Sequence, residues 1–116
     1  MQLTEALFQE NKISQEIFEK VKNQIENNNV LLYMKGTPQF PMCGFSARVV
    51  EILNSHELDY ETVDVLLDQD IRQGIKEFSN WPTIPQLYVN GQFIGGCDIC
   101  VEMHNSGELE PIVKSA

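Results

Sequence analysis

Positive charge is scarce in this chain: 8 Lys and Arg stand against 17 Asp and Glu over 116 residues, a formal net charge of −9. Nucleic acid and anionic membrane surfaces would both be repelled by that balance, so neither is expected as a partner. Cysteine is sparse as well, three in all. An odd count leaves at least one thiol unpaired in a monomer and excludes a disulfide framework that uses them all. No apolar run approaches the length of a membrane span. The opening residues, Met1-Gln2-Leu3-Thr4-Glu5, lack both the basic start of a secretion signal and the arginine of a transit peptide. A reducing compartment is therefore expected. The acidic start favours the cytoplasm, and an organelle matrix fits if a transit peptide has been removed. Repeats, linkers and low-complexity tracts are missing too. With 42% hydrophobic residues, the chain is one domain able to bury a core without disulfides or metal.

What is present centres on Lys35-Gly36-Thr37-Pro38-Gln39-Phe40-Pro41-Met42-Cys43-Gly44-Phe45-Ser46. The apolar run Val30–Met34 precedes it, short and unbroken enough for a buried strand. Pro38 and Pro41 stiffen the loop that follows. Behind Cys43, Ala47, Val50, Glu51 and Leu53 recur at helical spacing, so the cysteine stands where a helix begins. A thiol there faces free backbone N–H groups and the positive end of the helix dipole, and Lys35 adds a cation across the loop. All three favour the thiolate, the reactive and metal-binding form.

The remaining elements read in order. Residues 1–13 carry Leu3, Ala6 and Leu7 at helical spacing among polar neighbours and form an N-terminal arm outside a domain of residues 14–116. Ser14 caps a helix whose apolar face is Ile17, Phe18, Val21 and Ile25, and Asn27-Asn28-Asn29 ends it. Tyr60 to Val65 is a second strand. A third helix starts near Asp68, buries Ile71, Ile75 and Phe78, and stops before Asn80-Trp81-Pro82. Trp81 with Phe78 is expected to pack that helix. Asn90-Gly91 turns a hairpin between Gln86–Val89 and Gln92–Ile94. A short helix from Cys97 to Asn105 and a last helical turn or two over Glu108 to Val113 complete the chain. His56 and His104 are expected at the surface. Cys100 is expected in the core beside Ile99 and Met103, although Cys97-Asp98-Ile99-Cys100 with His104 is also a metal-ligand pattern short of a fourth ligand.

Cys43-Gly44-Phe45-Ser46 resembles the active motif of the monothiol glutaredoxins, within the thioredoxin fold. So do Lys35-Gly36, Asp70-Ile71-Arg72, Trp81-Pro82-Thr83-Ile84-Pro85-Gln86-Leu87 and Gly95-Gly96-Cys97-Asp98-Ile99, over about Ile17 to Val113. The arm and Cys100 depart from the pattern. The resemblance implies an α/β architecture, a four-stranded mixed sheet flanked by helices, to which the arm is an addition.

Redox sites of this fold that turn over alone use Cys-x-x-Cys, and Ser46 holds the second place. A hydroxyl is too weak an acid to resolve a mixed disulfide, so Cys43 requires an external thiol, a more distant cysteine or a metal. By resemblance the external thiol is glutathione. Its backbone would pair beside Ile84, before a cis Pro85, and its glycyl carboxylate would meet Lys35 and Arg72. Its γ-glutamyl end would meet Cys97 and Asp98 at the next helix N-terminus. Lys35 and Arg72 are otherwise solvated cations, and Asp98 is otherwise a helix cap. A cluster with two irons takes four thiolates, and two copies of Cys43 with two glutathiones supply four. The resemblance accordingly implies a 2Fe-2S cluster bridging a homodimer and passed to iron–sulfur apoproteins and assembly proteins. The alternative is a glutathione-dependent oxidoreductase that deglutathionylates proteins through Cys43, with Cys97 free to form a disulfide with it on oxidation.

Overall fold

A computed structural model describes residues 15–116; the arm of residues 1–13 and the Ser14 cap lie outside the described residues. The chain is helical over 15–26 (α1), then runs β1 (Val30–Met34), α2 (Gly44–Ser55), β2 (Glu61–Asp64) and α3 (Gln69–Ser79). It continues through β3 (Gln86–Val89), β4 (Gln92–Gly95), α4 (Cys97–Ser106) and α5 (Leu109–Lys114). The sheet order is β2-β1-β3-β4. β1 pairs parallel with β2 and antiparallel with β3, and β3 pairs antiparallel with β4. Only the parallel pair needs a crossover, and α2 supplies it. This is the four-stranded mixed sheet flanked by helices that the motifs imply.

β1 is buried at all five positions because both faces of the sheet are covered. Val30, Leu32 and Met34 face α2, α4 and α5, packing with Val49, Leu53, Cys100 and Leu109. Leu31 and Tyr33 face α1 and α3, packing with Val21, Ile25, Ile71 and Ile75. Burial of a Leu or Ile side chain contributes about 2 kcal/mol relative to exposure, so the alternation fixes β1 as the central layer. Phe18 departs from the expected face: it remains 36% exposed, with its ring 5.5 Å from Phe78 at the rim of that packing.

The local signals act where the sequence puts them. Asp68 caps α3, accepting from the N–H groups of Asp70 and Ile71 at 3.0 and 3.2 Å. Asn90 and Gly91 take positive φ, 51° and 82°, in the hairpin turn. β2 is shorter than expected, yet the Val65 N–H still donates to the Met34 carbonyl at 2.9 Å. The histidines differ from expectation. His56 ends α2 and His104 lies in the last turn of α4, both half-buried, with Nε2 of one and Nδ1 of the other 3.2 Å apart. α2 and α4 both begin at the cleft described next, so this pair ties their far ends together.

Candidate functional site

The loop between β1 and α2 is held from both sides. Its backbone crosses itself: Thr37 and Phe40 exchange hydrogen bonds at 3.2 and 3.1 Å, and Met42 N–H donates to the Lys35 carbonyl at 2.9 Å. Gly36 N–H donates to Asp64 Oδ1 at 3.0 Å, anchoring the loop to the end of β2. Gly36 has φ 90°, and a Cβ there would run into the Phe40 carbonyl and the Met42 backbone, so only glycine fits. Lys35 N–H donates to Ser46 Oγ at 3.1 Å, joining the end of β1 to the first turn of α2. Ser46 is fully buried.

Cys43 is the N-cap of α2, in extended conformation and half-buried. The Ser46 backbone N–H is the chief influence holding its thiol below the ordinary pKa. The Phe45 N–H, the Lys35 charge and the Ser46 hydroxyl add to this, against a desolvation that works the other way. The other two thiols shift upward. Burial and then the Asp98 charge raise Cys97, and burial pushes Cys100 up to about 12. Cys100 has no exposed surface, as expected of a core residue. Among the described residues no three His, Cys, Asp or Glu side chains come together in a way that could hold a metal ion.

Cys43 opens onto a cleft of about 400 Å³, within the range of small-molecule sites. Lys35, Cys43, Phe45, Lys76, Trp81 to Pro85, and Gly96 to Ile99 line it. Of the residues singled out from the sequence, Lys35, Cys43, Ile84, Cys97 and Asp98 therefore share one cavity. Arg72 lies outside the lining, and Lys76, one turn further along α3, takes that wall. The Ile84–Pro85 bond is cis. Gln86, fully buried, secures the preceding loop: its Nε2 donates to the carbonyls of Trp81 and Thr83 at 3.2 and 3.1 Å, and its Oε1 accepts from Tyr88 Oη at 3.1 Å.

Trp81 corrects the sequence reading. It does not stack on Phe78 to complete α3. It lines the cleft with its ring 6.1 Å from Phe93, and its indole nitrogen comes within 3.3 Å of where a Gly96 Cβ would stand. The turn at Asn80, left-handed with φ 54°, carries the chain off the helix before Trp81. Lys76, Phe45 and Thr83 were likewise not singled out. For Lys76 the available signal was its position one turn from Arg72.

A mixed sheet presenting a lone activated thiol at the start of its first crossover helix, opposite a cis-proline loop, defines a thioredoxin-like protein with a buried hydroxyl in place of a second thiol. The chain belongs to the glutaredoxin family, whose model matches residues 30–94. Several of its relatives are named as monothiol glutaredoxins. It is 53% identical over 97 residues to a monothiol glutaredoxin of Synechocystis, covering 84% of this chain and 91% of the relative. It is 52% identical over 99 residues to glutaredoxin 4 of Haemophilus ducreyi, covering 85% and 92%. Among solved structures it is similar to reduced poplar apo GrxS14, with a TM-score of 0.73 at 48% identity, covering 84% of this chain and 89% of that one.

Proposed function

We propose that the chain binds glutathione in this cleft and that two copies together carry a 2Fe-2S cluster, as cargo, to iron–sulfur apoproteins and assembly proteins. The observation that carries this reading is the isolation of one activated thiol. Cys43 is the thiol held toward its thiolate form, while Cys97 and Cys100 are pushed the other way and Ser46 is buried. Two such chains offer two thiolates, and two glutathiones supply the other two that such a cluster takes. In the cleft the tripeptide backbone pairs beside Ile84 as an added strand. Lys35 and Arg72 serve its glycyl carboxylate, and Cys97 and Asp98 at the start of α4 serve its γ-glutamyl end. The protein works in a reducing compartment, the cytoplasm in this reading.

Anaerobic reconstitution with iron and sulfide, with and without glutathione, tests the proposal by visible absorption and gel filtration. A coloured dimer that forms only with glutathione, and is lost in Cys43→Ser, is the expected result. Colour retained in Cys43→Ser sinks it.

The lowered pKa of Cys43 also favours a second reading, a glutathione-dependent oxidoreductase. There the Cys43 thiolate attacks the glutathionyl sulfur of a protein mixed disulfide and the protein thiolate leaves. A second glutathione thiolate then attacks Cys43–S–SG, releasing oxidised glutathione and regenerating Cys43. Catalytic reduction of mixed disulfides by a protein that forms no chromophore selects this reading.

A further inference from the structure

We infer that His56 and His104 together chelate a divalent transition metal of the zinc class, at a site separate from the cleft and independent of its thiols.

The sequence groups His104 with Cys97 and Cys100 as a ligand pattern, and the structure breaks that group. Cys100 is buried with its thiol toward the Gly95 carbonyl. His104 meets His56 instead, across the packing of α2 on α4. Nε2 of His56 and Nδ1 of His104 stand 3.2 Å apart, with the two rings at 87°. Two nitrogens bound to one tetrahedral zinc at about 2.0–2.1 Å lie about 3.3–3.4 Å from each other. The pair therefore already has nearly the spacing of one edge of that coordination sphere. Imidazole suits zinc, copper and nickel, whereas magnesium and calcium take oxygen ligands.

The surroundings favour a cation. His56 is the C-cap of α2 and His104 lies in the last turn of α4, so the negative ends of two helix dipoles meet here. Glu110, on α5, is within electrostatic reach: its carboxyl is held below the usual range first by Lys114 and in smaller part by His56. In the neutral pair one of the facing nitrogens carries a proton. That proton can pass through water to the far nitrogen of its own ring, which has no hydrogen-bond partner among the described residues. Two lone pairs are then free, with no net change in charge on the rings. Among the described residues no third ligand joins the pair. Both rings are half-buried, so water reaches the remaining coordination positions. The 12 residues of α2 put about 18 Å between this site and the helix start at Cys43.

The test is zinc titration of the full chain, freed of metal with a chelator and kept reduced by a phosphine. Cys43→Ser/Cys97→Ser removes competing thiols and serves as the parent. Calorimetry should find one zinc per parent chain, and the ring signals of both histidines should shift together along the same saturation curve in NMR. Zinc should also raise the melting temperature of the parent, since it binds only the folded pair. His56→Gln and His104→Gln should each lower the affinity about tenfold or more, and excess magnesium should not compete. Zinc binding that either variant leaves unchanged overturns the inference. So does binding that disappears with the two thiols, or saturation that leaves the imidazole signals in place. A parent chain that binds no zinc overturns it as well. None of these results bears on the glutathione cleft.

Discussion

The hydroxyl oxygen of Ser46 accepts a hydrogen bond from the backbone N–H of Lys35 at 3.1 Å. The residue occupying the place of a second thiol thus closes the junction between β1 and α2, and its backbone and hydroxyl also lower the Cys43 pKa. Ser46→Ala should leave the Lys35 N–H without its partner and remove one of the hydrogen bonds to the thiolate. The expected cost is about 1 kcal/mol of stability in urea, together with a Cys43 titration moved to higher pH, followed by thiolate absorbance. The sign of the pH effect follows. A thiol depressed on folding stabilises the native state most above the unfolded thiol pKa, and loses that contribution as pH falls through the lowered folded value. Wild type should therefore lose more stability than Ser46→Ala on acidification across that window. Equal slopes would remove Ser46 from the account of Cys43.

The three thiols should react in a fixed order. Cys43 is lowered and accessible, Cys97 is raised by burial and by Asp98, and Cys100 is raised to about 12 in the core. Alkylation follows the thiolate fraction and exposure. Iodoacetamide at neutral pH should label Cys43 first, Cys97 slowly and Cys100 only after denaturation, as mapped by peptide mass. Labelling that begins at Cys97 contradicts the electrostatic picture.

Much of the scaffold was legible because its signals are local. The unbroken Val30–Met34 run signals a strand covered on both faces, Asp68 a cap, and Asn90-Gly91 a hairpin turn. Cys43 was legible because a proline-stiffened loop running into a helix places a thiol at backbone donors. What was missed depends on tertiary placement. Helical phase puts Arg72 and Lys76 on one side of α3 but does not say which of them reaches a cavity closed by β1 and α4. Trp81 reads as a helix-packing aromatic until the left-handed turn at Asn80 redirects the chain. His56 and His104 are 48 positions apart, and nothing in the sequence pairs them.

The loop that lines the cleft opposite Cys43 depends on one buried amide. Gln86 supplies a donor to the carbonyls of Trp81 and Thr83 and an acceptor to Tyr88 Oη. Gln86→Leu keeps the bulk but orphans all three groups. The loss should be roughly 3 kcal/mol in urea, with glutathione binding weakened beyond what stability alone explains, because Ile84 is presented by the same loop. Gln86→Glu replaces the amide donors with a buried carboxylate facing the Trp81 and Thr83 carbonyls, and should weaken binding while leaving an acceptor for the Tyr88 hydroxyl. Unaltered binding in both variants would show that the loop is held by other contacts.

Trp81 offers a direct reporter of occupancy. It is the sole tryptophan, 41% exposed, and lines the cleft with Phe93 behind its ring. A peptide entering between the cis-proline loop and α4 must displace water from the indole. Glutathione titration should therefore shift the emission toward shorter wavelength in one saturable step, and Lys35→Gln should move the midpoint to higher concentration through the weakened carboxylate contact. Trp81→Phe should be silent in emission yet bind in calorimetry. Emission that stays constant while calorimetry records saturation would place the ligand away from the wall that Trp81 forms. The cleft would then have to be redrawn around Lys35 and Cys43 alone.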